Sequence, residues 1–207
     1  VTLADGTRLD RQTEVITYIS RNLEPYRGVH IFLRALPAIL AGRPQAHVVI
    51  VGGDGPGYGP APPAGGWKTH FLAPIKAAAP GADWSRVHFS PPLPYADHIA
   101  LLRVSRVHAY LTYPVVLSWS LLEAMSLECA IVASDTPPVR DALADGETSL
   151  LVDFFDPAGL AQRICDLAAA PAQAARLGAN AREWARANVD LARICLPRQL
   201  AWVDALR

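Results

Sequence analysis

The sequence predicts an α/β fold in which a doubly wound parallel sheet is followed by C-terminal helices. Apolar, β-branched runs alternate along the chain with segments whose apolar residues recur at helical spacing. One run, His47–Val51, is continuously apolar, as expected of a strand buried on both faces of a parallel sheet. After Asp153 only helical patterns remain. Strands that alternate with helices in this way pair in parallel through right-handed crossovers.

Strand and helix patterns follow one another in a regular order. The strands are expected at residues 14–20, 47–51, 86–89, 107–111, 130–133 and 149–152. The helices are expected at 29–40, 67–78, 97–104 and 118–127 between strands, and at 157–169, 171–188 and 191–206 after the last strand. Gly42 and Pro44 end the first helix, and Pro137-Pro138 predicts a turn. Residues 52–66 form a Gly- and Pro-rich loop too long for a tight connection, which favours a functional or disordered segment.

The composition of the chain indicates one folded domain. Its 207 residues are 51% hydrophobic and 18% charged, which is typical of a globular protein. The formal net charge is zero and the 19 Lys and Arg residues form no run, which argues against binding to nucleic acid over a wide surface. No stretch approaches the roughly 18 uninterrupted apolar residues that a membrane-spanning helix requires. The sequence begins with Val1 rather than Met and soon enters a strand pattern, which suggests a piece of a longer protein.

The cysteines and histidines argue against a metal site. Cys129, Cys165 and Cys195 are odd in number and lack the spacing of zinc ligands, so buried thiols in a reducing cytosol, and hence a cytoplasmic protein, are expected. The six histidines include no pair at i, i+4 spacing. No glycine fingerprint for a nicotinamide cofactor follows the first strand, and no Walker loop is present.

Loops at the carboxyl ends of the strands are expected to bind the ligand, because helix N-termini point their free N–H groups there. These loops are 21–28, 52–66, 90–95, 112–119 and 134–138. Arg21 and Arg27 lie in the first of them, where two cations at the mouth of a strand-to-helix loop suit a pyrophosphate. The alternative is that both arginines are solvated surface residues that pair with Glu24.

Several motifs resemble those of one known family. Tyr113–Met125 contains Leu-Leu-Glu-Ala-Met, and Ala130–Asp135 reads Ala-Ile-Val-Ala-Ser-Asp. Downstream lie Asp145–Asp153 and Asp156-Pro157, and upstream lie Ser20-Arg21 and Arg27-Gly28. In this order the motifs resemble the C-terminal domain of group 1 (family 4) glycosyltransferases, whose GT-B architecture pairs two Rossmann-like domains. The resemblance implies that residues 1–207 are a single donor-binding domain, the C-terminal half of a two-domain protein.

The resemblance also implies a donor site. Arg21 and Arg27 would contact the donor diphosphate, and Glu123 would accept hydrogen bonds from the two ribose hydroxyls. The helix N-terminal loop that faces the phosphates or the sugar would comprise Val115, Leu117, Ser118, Trp119 and Ser120, and the loop that contacts the nucleobase would contain Leu93 and Tyr95. For Glu123 a second interpretation stays open, because Ser120-Leu-Leu-Glu123 also fits a capping box in which the carboxylate bonds a backbone N–H.

The sequence departs from the family at one site position. Eight residues before Glu123, where family members have a Glu that contacts the donor sugar, this chain has Val115, which cannot accept a hydrogen bond. Glu128 stands where the family has Gly and Ala130 where it has Pro, changes that affect a helix C-terminus rather than the site.

The 52–66 loop is a second departure, because it exceeds the family's short turn. Tyr58 and Trp67 could stack on a base or a sugar, or could instead pin the loop to the surface.

The function that the resemblance implies is retaining glycosyl transfer from a nucleotide diphosphate sugar. That sugar nucleotide is a substrate, so no cofactor and no catalytic metal are expected. The acceptor, a glycan or lipid, would bind through an N-terminal domain, and the full-length protein could associate peripherally with a membrane. This chain alone is expected to bind the donor without turnover. Three alternatives stay open: a non-catalytic nucleotide-binding module, favoured by Val115; a GT-B nucleotide-sugar epimerase; and a doubly wound scaffold for an unrelated ligand.

Overall fold

A computed structural model describes residues 1–113 and 117–206. Its centre is a parallel sheet whose strands have the order β3-β2-β1-β4-β5-β6. The strands are β1 Val15–Asn22, β2 His47–Gly53, β3 Val87–Ser90, β4 Val107–Tyr110, β5 Ile131–Ser134 and β6 Leu150–Val152. The predicted doubly wound α/β fold is confirmed, and the strand bounds differ from the predicted ones by at most two residues at each end.

Helices cover both faces of the sheet. They are α1 Val29–Gly42, α2 Gly66–Ala78, α3 Tyr95–Val104, α4 Trp119–Ser126, α5 Pro137–Arg140, α6 Pro157–Ala169, α7 Pro171–Asn188 and α8 Leu196–Asp204. Two predictions differ in detail. The turn predicted at Pro137-Pro138 is the start of a short helix, because proline is well suited to the first helical position. The helix predicted at 191–206 is interrupted, because Leu191–Cys195 forms a π-helical turn before α8.

Strand β1 contributes side chains to both halves of the core. Ile16 and Tyr18 lie on the face covered by α1 and α6, whereas Val15 and Ile19 lie on the opposite face, covered by α4 and α7. This alternation follows from the two-residue repeat of a strand. Because β1 has β2 on one side and β4 on the other, it is buried in every direction except at its ends.

The direction of winding reverses between β1 and β4. From β1 the chain proceeds outward to β2 and β3, and it then returns to β4 on the other side of β1. The loops that leave the carboxyl ends of β1 and β4 therefore diverge, and they leave a crevice at the sheet edge. The crevice is where the sequence predicted the ligand site.

The described part of the chain contains no helix that is both long and apolar enough to cross a membrane.

Glu128 has a backbone conformation that glycine usually adopts. Its φ is +61°, in the left-handed region, and it lies just after α4. A Cβ on Gly178 of α7 would overlap the Glu128 carbonyl group, so the close approach of the two segments requires glycine at 178. The predicted effect of Glu128 on the helix C-terminus rather than on the ligand site is consistent with this position.

A buried histidine lies in the middle of the sheet. His108 of β4 is fully buried, and its Nδ1 lies 2.9 Å from Thr17 Oγ1 on β1. Burial, together with a smaller contribution from the charge of His98, lowers the pKa of His108 to about 3. An unfolded chain would protonate the same ring near pH 6.5. The stability that neutral His108 contributes is thus fully present above pH 6.5 and is lost as the pH falls towards 3.

Acidification from pH 7 to pH 5 is expected to lower the free energy of unfolding by about 2 kcal/mol through His108 alone, since the unfolded state binds a proton that the folded state excludes. His108→Gln removes this titration, and its stability should fall correspondingly less over the same range. Urea unfolding at both pH values measures the difference. The same pH dependence in His108→Gln as in the unaltered chain would contradict the expectation.

Candidate functional site

A cleft of about 500 Å³ lies at the crevice between the loops that follow β1 and β4. It brings together most of the residues that the sequence predicted for the site. Those that line it are Arg21, Arg27, Leu93, Leu117, Ser118, Trp119 and Ser120. These residues come from three separate loops, which the parallel sheet places side by side because all its strands end at one edge.

The two predicted arginines differ in environment: Arg21 lies in β1, one residue before its end, rather than in the loop, whereas Arg27 lies in the turn before α1. The Arg21 side chain is exposed and makes no hydrogen bond or ion pair with any residue of the described ranges. Arg27 is only 7% exposed; its Nη1 donates to Thr112 Oγ1 at 3.0 Å, and its guanidinium carbon lies 5.2 Å from the centre of the Tyr58 ring. Arg27 is thus not the solvated surface residue that the alternative interpretation expected.

The backbone around Arg27 is fixed by two features of the turn. The phenol of buried Tyr18 donates to the Arg27 carbonyl at 2.6 Å, and burial raises the pKa of this phenol, which keeps its proton on the oxygen. Gly28 follows with φ +75°, and a Cβ there would lie 2.5 Å from Leu111 Cβ. Glycine at 28 therefore lets α1 begin immediately after Arg27.

Glu24 holds the Gly- and Pro-rich loop against the first loop. The Glu24 carboxylate is buried, and its Oε2 accepts hydrogen bonds from the N–H of Tyr58 at 2.7 Å and of Gly59 at 3.2 Å. Instead of forming a solvated surface pair with an arginine, this carboxylate places Tyr58 on the wall of the cleft. Trp67, the other aromatic considered, stacks on Phe71 of its own helix α2.

Glu123 pairs with a histidine from a neighbouring helix. His98 Nε2 of α3 lies 2.8 Å from Glu123 Oε2 of α4, and both side chains are partly buried. The capping box is not formed, because α4 begins at Trp119 and Ser120 therefore lies inside its first turn. His98 lines the cleft, whereas Glu123 lines an adjoining groove of about 520 Å³ that shares Trp119 with it.

The N-terminus of α4 opens onto the cleft. Ser118 is the N-cap residue, but its side chain makes no hydrogen bond to the first turn; the Ser118 and Ser120 hydroxyls bond each other at 2.6 Å. The Ser118 N–H donates to the Tyr110 hydroxyl at 2.9 Å. Trp119 is 85% exposed. Uncapped N–H groups at a helix start favour an anionic ligand.

The predicted nucleobase residues lie on different surfaces. Leu93, with Pro92, lines the cleft, whereas Tyr95 begins α3 and lines the adjoining groove. Val115, the position of the missing family glutamate, lies outside the described residues.

Two contributors were missed at the sequence level. The sequence indicated no role for His98 and suggested Glu24 only as a partner of the surface arginines, because nothing in the local pattern links either residue to a segment that lies 25 or more residues away. In the described ranges, no group of three His, Cys, Asp or Glu side chains is arranged to hold a metal ion.

Comparison with known proteins identifies a matching family and similar sequences. A family model described as Glycosyl transferases group 1 matches residues 5–184. The D-inositol 3-phosphate glycosyltransferase of Corynebacterium efficiens is 29% identical over 175 residues, which are 84% of this chain and 39% of that protein. The enzyme of the same name from Mycolicibacterium vanbaalenii is 30% identical over 170 residues, 81% of this chain and 36% of that protein. The chain thus spans well under half the length of these relatives.

Solved structures share the fold. Sucrose-phosphate synthase from Thermosynechococcus elongatus has a TM-score of 0.74 at 23% identity, over 96% of this chain and 47% of that one. HepE of Anabaena in complex with UDP-glucose has a TM-score of 0.74 at 21% identity, over 93% and 49%. The C-terminal domain of a glycosyl transferase group 1 family protein from Francisella tularensis has a TM-score of 0.70 at 17% identity, over 86% and 87%.

Gly28→Ala is expected to lower the free energy of unfolding by about 3 kcal/mol, because the new Cβ meets Leu111 and the left-handed backbone is strained. Gly6→Ala is the matched control: Gly6 has φ +87° but nothing within 4 Å of its Cβ position, so only the backbone strain of about 1 kcal/mol applies. Urea unfolding of both variants measures the costs, and equal costs would contradict the tight contact at Gly28.

Proposed function

The chain belongs to the Glycosyl transferases group 1 family, and from this premise we propose that it binds the nucleotide diphosphate sugar donor of a retaining glycosyltransferase. One observation carries the proposal above all. Arg21 and Arg27 line the same cleft as the uncapped N-terminus of α4, at the crevice where the winding of the sheet reverses.

This arrangement suits a diphosphate. Two guanidinium groups form strong charge-assisted hydrogen bonds to phosphate oxygens, and the helix N-terminus adds N–H donors and a favourable dipole. When the bond between sugar and phosphate breaks, negative charge develops on the leaving diphosphate, and fixed donors stabilise it without having to reorganise. The residues would act by positioning and electrostatics, so the proposal requires no cofactor and no metal.

The nucleoside would lie on the other side of the diphosphate. The two Glu123 oxygens can accept from the two ribose hydroxyls, and His98, hydrogen-bonded to Oε2, would hold the carboxylate in place. Leu93 and Pro92 would contact the base.

Transfer itself would require the rest of the protein. The chain spans well under half of its inositol phosphate glycosyltransferase relatives, so we propose that it is the C-terminal, donor-binding half and that a preceding domain binds the acceptor glycan or lipid. The HepE complex with UDP-glucose supports a nucleotide sugar as the donor class.

Arg21→Ala is expected to weaken nucleoside diphosphate binding about tenfold, because one charge-assisted contact to the diphosphate is lost. Thermal unfolding of the chain with UDP, GDP or ADP and their sugar conjugates measures binding, since a ligand of the folded state raises the midpoint. Arg198→Ala, which removes an exposed arginine on α8, is the control and should bind normally. An undiminished shift in Arg21→Ala, or no shift with any of the nucleotides, would refute the proposed donor site.

Glu123→Ala is expected to abolish discrimination between a nucleoside diphosphate and its 2′-deoxy form. In the unaltered chain the ribonucleotide should bind about tenfold more tightly, because the deoxy analogue leaves a carboxylate oxygen without its partner. Calorimetric titration with each nucleotide measures the ratio. Discrimination that persists in Glu123→Ala would place the ribose elsewhere.

A further inference from the structure

The β2–α2 loop, residues 54–65, is attached by two side chains, one at the end of β1 and one in the loop that follows it. Asn22 Nδ2 donates to the Pro56 carbonyl at 2.8 Å, and the buried Glu24 carboxylate accepts from the N–H groups of Tyr58 and Gly59. A Cβ on Gly57 would overlap this carboxylate, so glycine permits the approach. A buried carboxylate is costly unless its hydrogen bonds are satisfied, and the loop amides satisfy it.

Glu24 also organises the turn that bears Arg27. Its carbonyl oxygen accepts from the N–H of Arg27 at 3.1 Å and of Val29 at 3.4 Å. The side chain of Glu24 thus fixes Tyr58 while its backbone fixes Arg27. The result is the contact in which the Tyr58 ring lies over the Arg27 guanidinium.

The course of the loop determines which side of the cleft Tyr58 occupies. At its start, Gly53 lies beside Pro92, which belongs to the expected nucleobase loop. By Gly59 the loop has reached the ring of Tyr26, whose carbonyl accepts the N–H of Tyr113 beyond β4. The first part of the loop therefore crosses from the β3 side to the β4 side, and Tyr58, next to Gly59, lies on the β4 side.

We propose that Tyr58 contacts the glycosyl group of the donor and that Glu24 is the residue that positions it. This inference rests on the proposed function. A donor diphosphate held at Arg27 has the nucleoside attached at one end and the sugar at the other. Leu93, His98 and Glu123 lie on the side that we assign to the nucleoside. The sugar would therefore lie on the side of Tyr58.

The chemistry of Tyr58 fits that role. Tyr58 is 59% exposed although its backbone N–H is held by Glu24, so its ring offers an apolar face to the C–H groups of a sugar and its hydroxyl is available for hydrogen bonding. The family position that normally supplies a carboxylate to the sugar is Val115 in this sequence, which leaves a sugar contact to be supplied by another residue.

The test compares each nucleoside diphosphate with its sugar conjugate: UDP with UDP-glucose, GDP with GDP-mannose, and ADP with ADP-glucose. In Tyr58→Ala the conjugate should bind about tenfold more weakly while the nucleoside diphosphate changes less than about twofold. Tyr58→Phe separates the ring from the hydroxyl. Trp202→Ala, which removes a similarly exposed aromatic on α8, should leave both affinities unchanged.

The positioning role of Glu24 is tested by measuring both the order of the loop that bears Tyr58 and the binding of the sugar conjugate. Glu24→Ala should speed hydrogen exchange at the Tyr58 and Gly59 amides at least tenfold and weaken the conjugate as Tyr58→Ala does, whereas Glu24→Gln keeps a carbonyl acceptor and should restore both. Faster exchange with unchanged conjugate binding would overturn the positioning role.

Equal weakening of both ligands in Tyr58→Ala, or of neither, would overturn the sugar contact while leaving the proposed function intact. If the unaltered chain binds none of the six nucleotides, the proposed function fails and the inference fails with it.

Discussion

The burial of β1 on both faces and along both edges is the constraint on which the site depends. A strand enclosed by β2, β4 and two helix layers has only its carboxyl end available to a ligand. The chain must also turn sharply there, because α1 begins at Val29, only seven residues after the end of the strand. Gly28 makes this turn possible, and the Tyr18 phenol, itself part of the core, secures the residue before it. The position of Arg27 is therefore a consequence of core packing.

Two charged side chains at this edge of the sheet, Glu24 and Arg27, are buried, and each has partners that offset the cost of leaving water. An ionised side chain removed from water is costly unless hydrogen bonds replace its hydration. Glu24 meets that requirement with two loop amides, and Arg27 is held by Thr112 and by the face of Tyr58. A fixed cation at a cleft wall need not be reoriented when an anion arrives, which lowers the cost of binding. Arg21 is exposed and supplies charge without such preparation.

The sequence predicted what local pattern and strand order determine. The alternation of apolar runs with helical periodicity located all six strands. In a parallel sheet the loops 21–28, 90–95 and 112–119 must meet at one edge. The prediction that Arg21, Arg27 and Ser118 lie close together followed from this, and all three line one cleft. The sequence could not predict the contacts that Glu24 and Glu123 make, because these contacts join segments that are distant in the chain. The Glu24 carboxylate accepts hydrogen bonds from amides 34 and 35 residues away, and Glu123 pairs with His98 from another helix. The capping box failed for a related reason, because its local pattern requires Ser120 as the N-cap, whereas the N-cap of α4 is Ser118, two residues earlier.

The failed capping box bears on how the N-terminus of α4 is used. A serine or threonine cap typically contributes about 1 kcal/mol, and this sequence offers Ser118 and Ser120 for the purpose. Within the described residues neither hydroxyl caps the helix, because the two hydroxyls form a hydrogen bond with each other. Glu123 pairs with His98 and not with a backbone N–H. Helix ends that lack a cap leave donors to water or to a ligand. Since this end opens onto a cleft lined by two arginines, an anion would satisfy the donors that the serines leave unpaired, and the local stability not taken up by capping would be recovered when the ligand binds.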